Sequence, residues 1–187
     1  MKCYVRGTGR SVATTGESYS VWASPKELQD EYDVIEWAAI QPWSDSRVVV
    51  SGGSYGGQST QRLLLKKPPH LVAIAPQFQA VGYSEEGNGF IYSGGAARSN
   101  LTVWSTVACG VIGVGCNPAA VIQNFLDHPL YDDYWKQSDA SQTWVNADLP
   151  IFSNGSTTDS AMIGGTFENY VGLRKAGKPN NYLVAGA

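Results

Sequence analysis

The residues whose types and spacing could do chemistry lie in Val48-Val49-Val50-Ser51-Gly52-Gly53-Ser54-Tyr55-Gly56-Gly57. A short β-branched run feeds into Gly-x-Ser-x-Gly, and a helical pattern follows from Gln58 to Lys67. Strand, sharp turn carrying a serine, then helix is the order of a nucleophile elbow. Such a turn holds its serine in a strained backbone at the C-terminal edge of a sheet. The helix behind it directs N–H groups towards any negative charge that develops there. On this reading Gly52 and Gly56 leave room for strand and helix to pass close together. The alternative is an ordinary glycine-rich strand-to-helix loop, in a chain with 21 glycines.

A serine nucleophile in this setting needs an acid and a histidine, following it in that chain order. The histidine takes the hydroxyl proton during attack on an acyl carbonyl and returns it to the leaving group; the acid holds the imidazole in the right tautomer. Asp159 fits the acid, lying just beyond the C-terminal end of an expected strand in a Ser/Thr/Gly loop. A solvated or helix-capping aspartate is the plainer reading of the same residue. Asp148 precedes that strand and belongs to the opposite edge. The chain has 2 histidines, His70 and His128, and both precede Asp159. His70 begins a strand, at the wrong end of the sheet, and His128 reads as structural. The histidine position is therefore without an occupant.

The elements that would position these residues alternate. Cys3-Tyr4-Val5 reads as the end of a strand, and the loop from Gly7 to Ser20 is rich in Gly, Ser and Thr. Its Gly-x-Gly lacks the remainder of any phosphate-binding motif. Ser24 can cap a helix with Pro25 in its first position, and Glu27 can reach back to complete a capping box. Leu28, Tyr32, Ile35, Trp37 and Ala39 give that helix apolar spacing until about Gln41, before Pro42. Pro68-Pro69-His70 stops the elbow helix, and Leu71 to Pro76 reads as a buried strand. Helix and strand in such alternation predict a parallel sheet covered on both faces.

From about Tyr83 to Val145 the pattern changes, with helices expected around Asn100 to Cys109 and Pro118 to Phe125 and no buried strand between them. This stretch reads as an inserted cap over the sheet edge. The core, 1–82 and 146–187, resumes with a strand at Leu149 to Ser153, a helix from about Gly165 to Lys175 and a strand at Asn181 to Ala185.

At 187 residues the chain suits one domain, and 43% hydrophobic with 16% charged residues describes a folded protein rather than a disordered one. A net charge of −3 without a basic stripe argues against a nucleic-acid partner. No apolar run approaches the length of a membrane span, and the N-terminus lacks the apolar run of a signal peptide. A soluble protein is the expectation, with the compartment left open and the cytoplasm one option. The 3 cysteines show no metal-ligand spacing. Cys109 and Cys116 could close a small loop in an oxidising compartment, but free thiols are expected. Asn100 and Asn154 begin glycosylation triplets, which arise often by chance. No metal and no organic cofactor are implied.

Several longer strings point to one family. Val5-Arg6-Gly7-Thr8-Gly9-Arg10-Ser11, Tyr32-Asp33-Val34-Ile35-Glu36-Trp37 with Gln41-Pro42-Trp43, and Gly52-Gly53-Ser54-Tyr55-Gly56-Gly57 occur in order. They are followed by Pro68-Pro69-His70-Leu71, His128-Pro129-Leu130-Tyr131-Asp132-Asp133-Tyr134-Trp135 and Gly165-Thr166-Phe167-Glu168-Asn169-Tyr170. Together they resemble the Xaa-Pro dipeptidyl-peptidase / cocaine esterase (CocE/NonD) family of α/β hydrolases. The resemblance implies an α/β fold class: a partial α/β-hydrolase fold, its parallel sheet flanked by helices, with an inserted helical cap. It implies a serine hydrolase of ester or peptide/amide bonds, acting on a small-molecule ester or a peptide. Ser54 is the implied nucleophile and the N–H of Tyr55 one oxyanion-hole donor. Asp159 falls close to the acid position, although the family's Gly-Gly-Trp-x-Asp loop is here Asn154-Gly155-Ser156-Thr157-Thr158-Asp159. Val184-Ala185-Gly186 resembles the start of the family's Gly-Pro-Trp-x-His loop, which puts the catalytic histidine just past Ala187. The opening strands, with a second oxyanion donor, and a C-terminal jelly-roll domain are likewise expected outside this sequence.

Two readings follow. In one, these residues are the catalytic middle of an active hydrolase, and the 187-residue chain alone is nearly inactive. In the other, the chain is a catalytically incomplete pseudoenzyme, or an acyl- or peptide-binding remnant.

Overall fold

In a computed structural model of the chain, the structure describes residues 1, 3–11, 24–79, 92–93, 96–97, 106, 109, 116–137, 139–158 and 163–186. Helix α1 (Pro25–Ala39) leads to strand β1 (Val48–Gly53), helix α2 (Tyr55–Lys66) and strand β2 (Leu71–Gln77). A two-residue ribbon, β3 (Tyr92–Ser93) and β4 (Ala96–Ala97), is followed by helices α3 (Pro118–Leu126) and α4 (Asp133–Lys136) and a 3₁₀ helix (Ala140–Asn146). Strand β5 (Ile151–Ser156), helix α5 (Ile163–Lys175) and strand β6 (Asn181–Gly186) complete the order.

Local chemistry explains most of these boundaries. Ser24 caps α1 by accepting from the Glu27 N–H at 3.2 Å, with Pro25 in the first turn. Glu27, expected to reach back to that cap, instead turns inward and is buried. Helix α2 begins at Tyr55, three residues before the Gln58 expected from periodicity, because the turn at Ser54 leads straight into helical geometry. It ends at Lys67, whose left-handed backbone returns its N–H to Leu63 O before Pro68. Cys3 to Val5 form no strand; Arg6 there pairs with Asp30 of α1 at 2.6 Å.

The four long strands form one parallel sheet in the order β1-β2-β5-β6. Helices flank the sheet as expected; among the described residues, α1, α2, α5 and the 3₁₀ helix lie on one side of it. The strand order explains this. Right-handed crossovers that always step in the same direction put every connecting helix on the same face, and only a reversal of order fills the other. The core on the covered side contains Leu28, Ile35, Leu63, Leu64, Leu71, Ile74, Ile151 and Leu173. Deep within it Trp144 Nε1 donates to Asn169 Oδ1 at 2.8 Å, Asn169 donates to Gln61 at 3.3 Å, and Gln61 to Thr143 at 3.0 Å. The 3₁₀ helix is thereby tied to α2 and α5. On the other side Val49, Phe152, Tyr182 and Val184 remain 48–61% exposed.

In the middle stretch Phe125 stacks on Trp135, His128 on Tyr134, and Trp135 Nε1 donates to His128 O at 2.7 Å. The ribbon of β3 and β4 was not expected there. The helix expected at Asn100 to Cys109 lies outside the described residues, apart from positions 106 and 109, which are helical. Free thiols were expected, yet Cys109 and Cys116 form a disulfide with Cα atoms 5.2 Å apart, a separation that a bridge spans readily. Cys3 is free and exposed. Asn154 is paired within β5 rather than carried on a surface loop.

Candidate active site

Ser54 joins β1 to α2 at φ 57°, ψ −120°, a conformation that non-glycine residues rarely adopt. Its N–H donates to Gln77 O of β2 at 2.9 Å, and its carbonyl accepts from Gly57 and Gln58 at 2.9 and 3.1 Å. The backbone is therefore held from both the strand and the helix side. A serine at a helix N-cap ordinarily spends its hydroxyl on the first-turn amides, but Ser54 makes no such bond and is exposed. Tyr55, the first residue of α2, brings its N–H to the same corner, among the amides at the positive end of the helix.

Two glycines make the corner possible, and one differs from expectation. A Cβ on Gly52 would lie 2.5 Å from Gly56 O, so strand and helix pass closely there, as expected. The second essential position is Gly57, where a Cβ would meet Gln77 O at 2.5 Å. A Cβ on Gly56 would meet nothing within 4 Å. The motif's second glycine thus contributes its carbonyl to the close approach, while its neighbour faces the adjacent strand.

The register aligns the strand ends. Gly53 pairs with Gln77, Gln77 with Asn154 and Ser156 with Gly186, so the segments after β1, β5 and β6 leave one edge. With about 4.8 Å between strands, β5 leaves that edge roughly 10 Å from β1. Thr157 N–H and Oγ1 bond to Gly186 O at 2.6 and 3.1 Å, and Ser156 bonds to Thr158. Asp159 follows and lies outside the described residues.

Of the other titratable candidates, His70 and Asp148 stand at the opposite edge. His70 opens β2 at the opposite edge, its Nδ1 2.7 Å from Glu36 of α1. A seven-residue strand separates it from the Ser54 edge, roughly 20 Å. Asp148, also at that far edge, accepts from Lys178 and Lys67 at 3.0 and 3.3 Å, which holds its carboxyl below the usual carboxylate range. His128 Nδ1 lies 2.6 Å from Asp132, and the hydrogen bond from that imidazole lowers the Asp132 pKa.

A carboxylate cluster beneath the elbow was not anticipated from sequence. Tyr55 donates its phenolic O–H to Glu27, and Ser59 donates to Glu31 at 2.5 Å. Arg62, fully buried, donates to Ser24 O at 3.3 Å beside both carboxylates. Burial is the largest cause that pushes Glu27 up to about 7, reinforced by Glu31 and opposed by Arg62; burial raises Glu31 as well. The available signal was polar residues at helical spacing on two successive helices, Glu27 and Glu31 against Tyr55, Ser59 and Arg62. A groove of about 620 Å³ runs beside the open side of β1, lined by Arg6, Glu27, Asp30, Trp43 and Tyr55, but Ser54 does not line it. Among the described residues no cluster of His, Cys, Asp and Glu could hold a metal ion, and no helix is long and apolar enough to cross a membrane.

Residues 4–116, more than half of the chain, match the family model for X-Pro dipeptidyl-peptidase (S15 family). The chain belongs to this family. Over 74 residues, 40% of this chain and 11% of the relative, it is 36% identical to a Mycobacterium bovis protein named "Putative serine esterase". A Mycobacterium tuberculosis protein of the same name matches equally. Its fold superimposes on a CocE/NonD family hydrolase from Staphylococcus aureus with a TM-score of 0.77 and 26% identity, over 97% of this chain and 31% of that one. An aminopeptidase from a marine sediment Thaumarchaeota archaeon shares the fold, at TM-score 0.62 and 22% identity, over 92% of this chain and 32% of that one. The S15 chain thus spans about a third of these solved structures and matches a far smaller part of the curated relatives. Family membership points to a serine hydrolase of the S15/CocE type.

Proposed function

We propose that the protein cleaves ester or peptide/amide bonds of small substrates through an acyl-enzyme on Ser54. The observation that carries this reading is the backbone of Ser54, at φ 57°, ψ −120° between a parallel strand and a helix, with a hydroxyl unused in capping. That oxygen attacks the acyl carbonyl while its proton passes to a base. The base then returns the proton to the departing alkoxide or amine, and a water repeats the sequence on acyl-Ser54. Tyr55 N–H donates to the oxyanion as charge develops. Asp159, on the segment after β5, orients the base. The base on this reading is a histidine presented beyond β6, as the family resemblance implies; His70 lies at the opposite edge of the sheet from Ser54.

Loss of a triad histidine costs on the order of a million-fold in a well-studied protease, so the 187 residues alone should scarcely turn over. Fluorophosphonate labelling tests the whole scheme. Full-length protein should label at Ser54, and Ser54→Ala should not; labelling that survives this substitution would overturn the assignment. The 187-residue chain should stay unlabelled until extended past Ala187. Ser54-dependent labelling without extension would mean another base serves, and silence in both forms would favour a pseudoenzyme that binds acyl or peptide ligands.

A further inference from the structure

The first turn of α2 is held by its backbone contacts and by few side chains. After Ser54 come Tyr55, Gly56 and Gly57. Two glycines in succession carry no side chains and each costs a helix about 1 kcal/mol relative to alanine. The Ser54 hydroxyl makes no capping bond to the turn. Of the first three residues of α2, Tyr55 alone has a side chain with which to tie the turn down. Its phenol reaches Glu27 of α1.

Glu27 is itself fixed from several directions. Its N–H donates to Ser24 Oγ at 3.2 Å, inside the cap of α1. On its own helix Glu31 and Asp30 lie one turn on; from α2 Arg62 and Ser59 face it; and Arg6, paired with Asp30, lines the same groove. The residue is 2% exposed, so its side chain has few alternative positions. A chain of contacts thus runs from the Ser24 cap through Glu27 and the Tyr55 phenol to the peptide that joins Ser54 to Tyr55. That peptide contains the N–H assigned to the oxyanion.

We propose that Glu27 is a positioning residue for the acyl-transfer step, acting through the Tyr55 hydroxyl to fix the Ser54–Tyr55 peptide. The proposal rests on the assignment of Ser54 as nucleophile. It gives the buried carboxylate a purpose beyond cohesion, since two helices can be joined by apolar contacts without a buried charge. A misplacement of about 1 Å in a catalytic group can cost roughly a hundredfold in rate, so a loosened first turn should appear in kcat.

The test uses the full-length protein with a p-nitrophenyl acyl ester, comparing Tyr55→Phe, Glu27→Ala, Glu27→Gln and Ser54→Ala. Tyr55→Phe and Glu27→Ala should each lower kcat roughly ten- to a hundredfold with KM little changed, and the pair together should lower it no further. Glu27→Gln, whose amide oxygen can still accept from Tyr55, should restore most of the loss. Should Glu27→Ala fail to fold, Tyr55→Phe removes a single oxygen and carries the comparison alone. Wild-type kcat in Tyr55→Phe, or additive losses in the double variant, would overturn the positioning role. Undiminished turnover in Ser54→Ala would instead remove the nucleophile assignment beneath it.

Discussion

At the edge where the strands begin, titratable side chains are paired. His70 lies against Glu36 at 2.7 Å, and Asp148 bridges Lys178 and Lys67 at 3.0 and 3.3 Å. At the edge where they end, Ser54 sits exposed with a left-handed backbone and a hydroxyl that caps nothing. A parallel sheet makes this division natural, because its two edges receive different loops: those entering strands and those leaving for helices. The pairs that Asp148 makes with Lys67 and Lys178, with the Asp148 carboxyl open to solvent, close the first edge at little energetic consequence. The second stores backbone strain, which persists only where the surroundings over-determine it. Here they do so through Gln77 O, the helix amides, two close backbone contacts at glycine, and the Tyr55–Glu27 link.

The contrast can be tested from its largest effect downward. Ser54→Ala should reduce turnover of the full-length protein on the order of a million-fold while leaving its melting temperature nearly unchanged, as steady-state assays and thermal melts would show. An edge built for chemistry loses rate rather than stability when its central side chain is removed.

Next come the glycines. Gly57→Ala, which forces a Cβ to 2.5 Å from a β2 carbonyl, should destabilise by about 1–3 kcal/mol or more in urea unfolding. Gly56→Ala, with nothing within 4 Å, should be neutral or gain up to about 1 kcal/mol of helix propensity. Equal effects at the two positions would refute the account of how strand and helix pass.

The Glu27 carboxyl should be visible in the pH dependence of stability. Its pKa is raised from 4.5 to about 7, so the folded state binds more protons than the unfolded one in that window. Its contribution is therefore complete below about 4.5 and lost as pH rises towards 7, by as much as about 3 kcal/mol. Urea titrations at successive pH values should show this decline, and Glu27→Gln should flatten it. A profile unchanged by the substitution would mean that Glu27 ionises as freely in the fold as in water.

The smallest effect belongs to the paired edge. Asp148→Asn should shift the melting temperature only slightly and leave fluorophosphonate labelling of the full-length protein intact. The lysine hydrogen bonds lower the Asp148 pKa, so its contribution is present above about 3.8 and fades as pH falls through the lowered value. A large loss of labelling would show that the two edges are not independent.

Much of this was legible in the chain itself. Val48-Val49-Val50 followed by Gly-x-Ser-x-Gly identified the elbow, because a strand and a helix have different apolar periods and the glycines mark the turn between them. Ser24-Pro25 located the start of α1 for an equally local reason: a hydroxyl acceptor and a residue without an N–H suit the first turn. The parallel alternation and the assignment of His70 and Asp148 to the far edge required only the strand positions. Local signals sufficed wherever the relevant contacts lie within a few residues.

The remainder depended on contacts distant in sequence. Glu27 resembled a capping-box residue because the sequence shows its own helix but not α2 packed over it. Gly57 outranks Gly56 only because β2 lies alongside the helix, and Cys109 and Cys116 bridge because the fold brings their Cα atoms to 5.2 Å. That the described crossover helices share one side of the sheet follows from strand order, which residue patterns do not encode. The sequence by itself determined that a serine would stand at a strained corner between strand and helix. Only the tertiary structure decided which backbone carbonyls, and which buried carboxylate, hold that corner in place, because those partners meet across the space between elements rather than along the chain.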